Sequence, residues 1–264
     1  MKLFSQKHEY DGNERAASAL SEPLIVLPGL FGSTSNWRSM ARQLSQLGDV
    51  VVLDQRNHGR SDHADSQSYA DMVDDLLTWM DDESIQRAHL MGHSMGGKVA
   101  MCATHWHTER FVSLSVLDIA PVKYSHSHAP FIDALLALDL SQLSGRAEAD
   151  EALHDAIPDK GTRLFLLQSL SGASGRFKWR LNLPVLREYM PEIIDFPDLN
   201  TQVALPTLVL YGAQSSYVGA EHHVLFERLY QPLTMQRIEG AGHWLHIEQP
   251  KEVLEGLMTF LRDR

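Results

Sequence analysis

The sequence predicts an α/β fold: a mostly parallel central sheet, helices on both of its faces, and a helical insertion late in the chain. Three observations carry that expectation. Short apolar runs of strand length recur along the chain. Segments with apolar residues at spacings of three and four lie between them. The alternation stops between about Pro121 and Leu199, then resumes. Strands alternating with helices imply right-handed crossovers, and so a parallel sheet buried on both sides.

The strand-like runs are Leu24–Leu27, Val50–Leu53, 88–91, 114–117 and 207–211, with a weaker one at 234–238. Trp37, Met40, Ala41, Leu44 and Leu47 form one helical face. Tyr69, Met72, Val73, Leu76, Leu77 and Met80 form a second, and Val253, Leu254, Leu257, Met258 and Leu261 a third, which Pro250 is placed to open. Between 121 and 199 the pattern predicts helices at 131–138, 147–156, 163–169 and 184–190, and no strand. Residues 1–120 and 200–264 therefore read as the core, and 121–199 as a cap. A cap inserted there would cover the carboxyl ends of the strands, the edge where open sheets of this kind bind ligands.

Composition narrows the function. With 264 residues, 44% of them hydrophobic and 22% charged, the chain can bury a large core without disulfides or metals. It carries 23 basic and 34 acidic residues, a net charge of −11. Such a surface repels phosphate backbones and offers no broad basic face to anionic lipid, so nucleic acid is not expected as a partner. One cysteine, Cys102, rules out a disulfide within the chain and suits a reducing compartment. Residues 1–9 lack the apolar run of a signal peptide, and no stretch reaches the ~20 apolar residues of a membrane span. The expectation is a soluble, cytoplasmic protein.

The strongest local signal is Gly92-His93-Ser94-Met95-Gly96, between a strand-like and a helix-like segment. A serine in so tight a strand-to-helix turn is held in a strained backbone conformation. The residues two before and two after it crowd together and must be small. The turn lifts the Ser94 hydroxyl out of the sheet edge and sets the Met95 amide at a helix N-terminus, where it can donate to an oxyanion.

A serine hydroxyl needs a base. Among fourteen histidines, His243 stands out in Gly240-Ala241-Gly242-His243, a glycine-rich loop after the last strand-like run. His246 is its neighbouring rival. The base in turn needs a carboxylate. The loop after the 207–211 strand holds none, and Glu221 lies too far along. Asp118 closes the preceding strand at the ligand edge, in the chain order Ser94, Asp118, His243. Gly29-Leu30-Phe31-Gly32 follows the first apolar strand, which makes the Leu30 amide the second oxyanion donor and Phe31 a pocket wall. The polar run 54–61 reads as a structural turn. Arg180, in the cap, is a candidate anchor for an anionic acyl or phosphate group. The pairs His105/His107, His126/His128 and His222/His223 lack H-E-x-x-H spacing, and no glycine pattern matches a dinucleotide loop or P-loop. No metal and no cofactor are expected.

Taken together, 29–33, 54–59, 92–98, 118–122, 179–182 and 240–244 make the chain resemble the α/β-hydrolase superfamily, and within it the YbfF-type bacterial esterases. The resemblance implies a cofactor-free esterase acting on small-molecule acyl esters of short to medium chain length, or on thioesters. It implies the triad Ser94, Asp118 and His243, and places Trp244 beside the substrate. Pro28 departs from the histidine usual before Gly29, which leaves open what holds the oxyanion loop. A C–C bond hydrolase, an amidase or lactonase on the same fold, and a non-catalytic binder stay open as alternatives.

Overall fold

A seven-stranded sheet organises the computed structural model, which describes residues 1–10, 20–262 and 264. The first half of the chain supplies β1 (Ser5–His8), β2 (Leu24–Leu27), α1 (Thr34–Leu44), β3 (Val50–Leu53), α2 (Tyr69–Asp82), β4 (Ala88–His93), α3 (Met95–Trp106) and β5 (Phe111–Leu117). Five short helices follow: α4 (Ala129–Ala137), α5 (Arg146–Ala152), α6 (Lys160–Leu166), α7 (Leu183–Glu188) and α8 (Met190–Ile194). Between α6 and α7 runs a small hairpin, β6 (Leu170–Ser171) with β7 (Lys178–Trp179). The chain then returns through β8 (Thr207–Gly212), α9 (His223–Leu229), β9 (Leu233–Ile238), α10 (Leu245–Glu248) and α11 (Pro250–Arg262).

The strand order is β1-β3-β2-β4-β5-β8-β9. Every neighbouring pair is parallel except β1 with β3, which is antiparallel. β2, β3 and β4 are buried along their whole length, as strands covered on both faces must be. The helical faces go where their periodicity directs them: Trp37, Met40, Ala41 and Leu44 of α1, and Val253, Leu257 and Leu261 of α11, are all in the core. Full burial of a valine, leucine or methionine among them contributes about 1.5–3 kcal/mol.

The strand pattern differs from the sequence expectation in two places, and α8 extends the helical run beyond the predicted 184–190. β1 has the polar sequence Ser-Gln-Lys-His and lies at the sheet edge, where a strand needs little apolar character. The region 121–199 does contain strands, namely the hairpin of β6 with β7, held by the pairs Leu170 with Trp179 and Ser171 with Lys178. Strands of two residues are too short to show a period of two in sequence.

Candidate active site

Strand register brings the site together. Leu27 is paired with Gly92, His93 with Leu117, and Leu117 with Leu210. The chain therefore leaves β2, β4, β5 and β8 side by side at one carboxyl edge. The direction of strand succession reverses between β3 and β4, on either side of β2, and such a reversal opens a crevice there.

Ser94 caps α3 with φ +53° and ψ −122°. Glycine at 92 and 96 permits this. A Cβ on Gly92 would lie 2.2 Å from the Gly96 carbonyl oxygen, and one on Gly96 would lie 2.2 Å from that of Leu27. The Ser94 Oγ is 3.0 Å from Nε2 of His243. On the far side of that ring, Nδ1 is 2.7 Å from Oδ2 of Asp118. Asp118 has no exposed surface and adopts φ +49°. Its Oδ1 accepts the Gly212 amide at 2.9 Å, and its Oδ2 also accepts the Ser215 hydroxyl. The end of β8 and the loop after it thus supply hydrogen-bond donors to a carboxylate that stands one strand earlier. The partnership of Ser215 was not read from the sequence. Its signal was a hydroxyl-rich loop in a place where a carboxylate was sought.

His243 is held from other sides as well. Tyr217 stacks on it, with ring centres 3.9 Å apart and planes 19° apart. Nε2 of His93 donates to the His243 carbonyl at 2.8 Å. Burial, with smaller contributions from His246 and His243, pushes His93 well below the usual imidazole range, so its ring is neutral. His246, the rival base, is a buried residue of α10 stacked on Trp37 at 4.3 Å, and burial lowers its pKa to about 3. His128 is also drawn into the site. It lines the cavity and meets the Tyr217 hydroxyl at 3.2 Å, with burial lowering its pKa to about 4, a role that no local sequence pattern pointed to.

The loop after β2 passes directly against the serine, since a Cβ on Gly29 would lie 3.0 Å from the Ser94 Cβ. Leu30 follows it, and Met95 opens α3, so the Met95 amide is one of the N-terminal donors with no partner inside the helix. Pro28 is held through its carbonyl, which accepts the Gln55 side-chain amide at 2.7 Å. Asp54 steadies the same region by accepting the amides of Thr34 at 2.6 Å and Arg60 at 2.8 Å. The polar run 54–61 thus braces the loop after β2.

A cavity of about 230 Å³ opens over Ser94 and His243. Phe31, Trp37, Phe131, Phe165, Leu166 and Trp244 give it an apolar wall. Arg180 is not among its lining residues. It is exposed just after β7, with its amide donating to the Ser169 carbonyl at 2.9 Å.

The alpha/beta hydrolase fold family matches residues 22–250 of this chain. The chain belongs to that family. This hydrolase is 36% identical over 247 residues to the sn-1-specific diacylglycerol lipase ABHD11 of Mus musculus, covering 90% of this chain and 80% of the relative. It is 32% identical over 256 residues to the esterase YbfF of Escherichia coli, covering 95% and 99% of the two chains. The solved structure of a marine microorganism esterase superposes on it with a TM-score of 0.91 at 35% identity, over 98% of this chain and 99% of that one. Among the described residues of the hydrolase, no helix is long and apolar enough to cross a membrane.

Proposed function

We propose that this hydrolase is a serine carboxylesterase that cleaves esters, or thioesters, of short- to medium-chain acyl groups. The observation that carries the reading is the hydrogen-bonded chain Ser94, His243, Asp118 beneath an apolar cavity. Relatives named as esterases and a lipase over nearly the same length support it.

With Nδ1 of His243 donating to Asp118, Nε2 is free to accept the Ser94 proton as Oγ attacks the ester carbonyl. The carbonyl oxygen becomes an oxyanion facing the amides of Leu30 and Met95. Each such donor is worth roughly 3 kcal/mol of transition-state stabilisation. The imidazolium, steadied by Asp118, gives its proton to the departing alkoxide as the C–O bond breaks. Water then yields a proton to His243 and attacks the acyl-serine. The collapse of that intermediate returns the proton to Ser94 and releases the acid. Phe31 and Trp244 pack against the apolar parts of the ester. Residues 121–199 act as a cap, since Phe131 of α4 and Phe165 and Leu166 of α6 form one side of the cavity. A single, buried cysteine suits work in the cytoplasm.

The test is Ser94→Ala on p-nitrophenyl acetate. The reading predicts a fall in kcat of about five orders of magnitude or more with an unchanged far-UV CD spectrum. Undiminished hydrolysis would remove Ser94 from the chemistry.

A further inference from the structure

We propose that the preferred ester of this site joins a very short acyl group to a longer apolar alcohol. This rests on the esterase reading above, and narrows it. Ser94 stands between two chambers of unequal size: one of about 230 Å³ and one of about 20 Å³. A space of 10–15 Å³ on this measure holds about one water, so the small chamber takes a group of about methyl size. The larger one has room for a chain of several carbons.

The chemistry decides which part of the ester goes where. The leaving oxygen must receive its proton from His243, so the alcohol departs on the imidazole side. His243 lines the large chamber, together with Trp37, Phe165 and Trp244, and does not line the small one. The small chamber is bounded by Met95, Ile119, Tyr124, Ile193 and Ile194, and that is the side left to the acyl group.

The walls of the small chamber are also tied together by hydrogen bonds. The Tyr124 hydroxyl accepts the Ala120 amide at 2.8 Å and donates to the Tyr217 carbonyl at 2.7 Å. The Lys98 ammonium donates to the carbonyls of Ile194 at 3.0 Å and Asp195 at 2.7 Å. The Tyr124 amide donates to that same Ile194 carbonyl at 2.9 Å. Bonds on both sides of the chamber oppose the widening that a long acyl chain would need.

Hexyl acetate and methyl heptanoate are isomers with similar polarity and the ester group reversed, and they separate the two orientations. The wild-type protein is assayed on both by titrating released acid, with p-nitrophenyl acetate alongside. The proposal expects kcat/KM for hexyl acetate to exceed that for methyl heptanoate by at least about tenfold, since misfitting methylenes in a tight apolar pocket cost that much or more. A ratio near one or reversed overturns it, as does failure to cleave either isomer while p-nitrophenyl acetate is hydrolysed. In both of those cases the esterase reading stands. If p-nitrophenyl acetate is not cleaved either, the esterase reading itself fails, and this inference with it.

Discussion

The carboxylate of Asp118 meets Nδ1 of His243 at 2.7 Å from the end of β5, one strand before β8. It stays there because Gly212, at the end of β8, and Ser215, in the loop after it, hydrogen-bond to its two oxygens. Asp118→Asn would present an amide that cannot orient and stabilise the imidazolium. A kcat loss of about four orders of magnitude on p-nitrophenyl acetate is expected. A loss of less than tenfold in a folded variant would hand the role to another group.

Ser215→Ala tests the support of that carboxylate more gently. One charge-assisted hydrogen bond to Oδ2 goes, while the Gly212 amide stays on Oδ1. The expected outcome is a fall in kcat of about tenfold with KM little changed, because the residue positions Asp118 and does not touch the ester. Initial rates over a range of substrate concentrations separate the two parameters.

The elbow has no space to spare. In Gly92→Ala the new methyl would fall 2.2 Å from the Gly96 carbonyl oxygen, against backbone that cannot rotate away. We expect a destabilisation of more than about 3 kcal/mol in urea unfolding. Unchanged stability would mean that the turn has a looser form than the one described.

Acid should weaken the fold before its carboxylates titrate. Below about pH 6.5 an unfolded His246 takes up a proton, whereas the folded ring, lowered by burial to about 3, does not. The unfolded chain then binds more protons, so stability present above pH 6.5 is lost as pH falls from there toward 3. His246→Phe keeps an aromatic ring against Trp37 and removes the titration. The unfolding free energy of this variant should fall by up to about 2 kcal/mol less between pH 6.5 and 5 than that of the wild type. Equal slopes in urea titrations at the two pH values would contradict this.

Much of this arrangement is legible in the sequence, because it is written in local terms. Buried strands such as Val50–Leu53 are uninterrupted apolar runs, α1 and α11 show their faces by spacing, and Gly92-His93-Ser94-Met95-Gly96 announces its turn through the two glycines it needs. The choice of Asp118 over a residue of the β8 loop followed from an absence in that loop. What stayed hidden depends on contacts between distant segments. Ser215 matters because Leu117 and Leu210 are in register. His128 and Tyr217 lie 89 positions apart and meet only in the fold. Gln55 holds Pro28 across 27 positions, a device that no local pattern reveals. β1 and the β6–β7 hairpin escaped because one is polar at an edge and the other has two residues per strand.

The central claim is that His243 activates the Ser94 hydroxyl, and intact-protein mass spectrometry after exposure to a fluorophosphonate tests it most directly. One covalent adduct should form on the wild-type chain, map to the peptide containing Ser94, vanish in Ser94→Ala and form far more slowly in His243→Ala. No adduct on the wild type, or an adduct that persists in Ser94→Ala, would contradict the account.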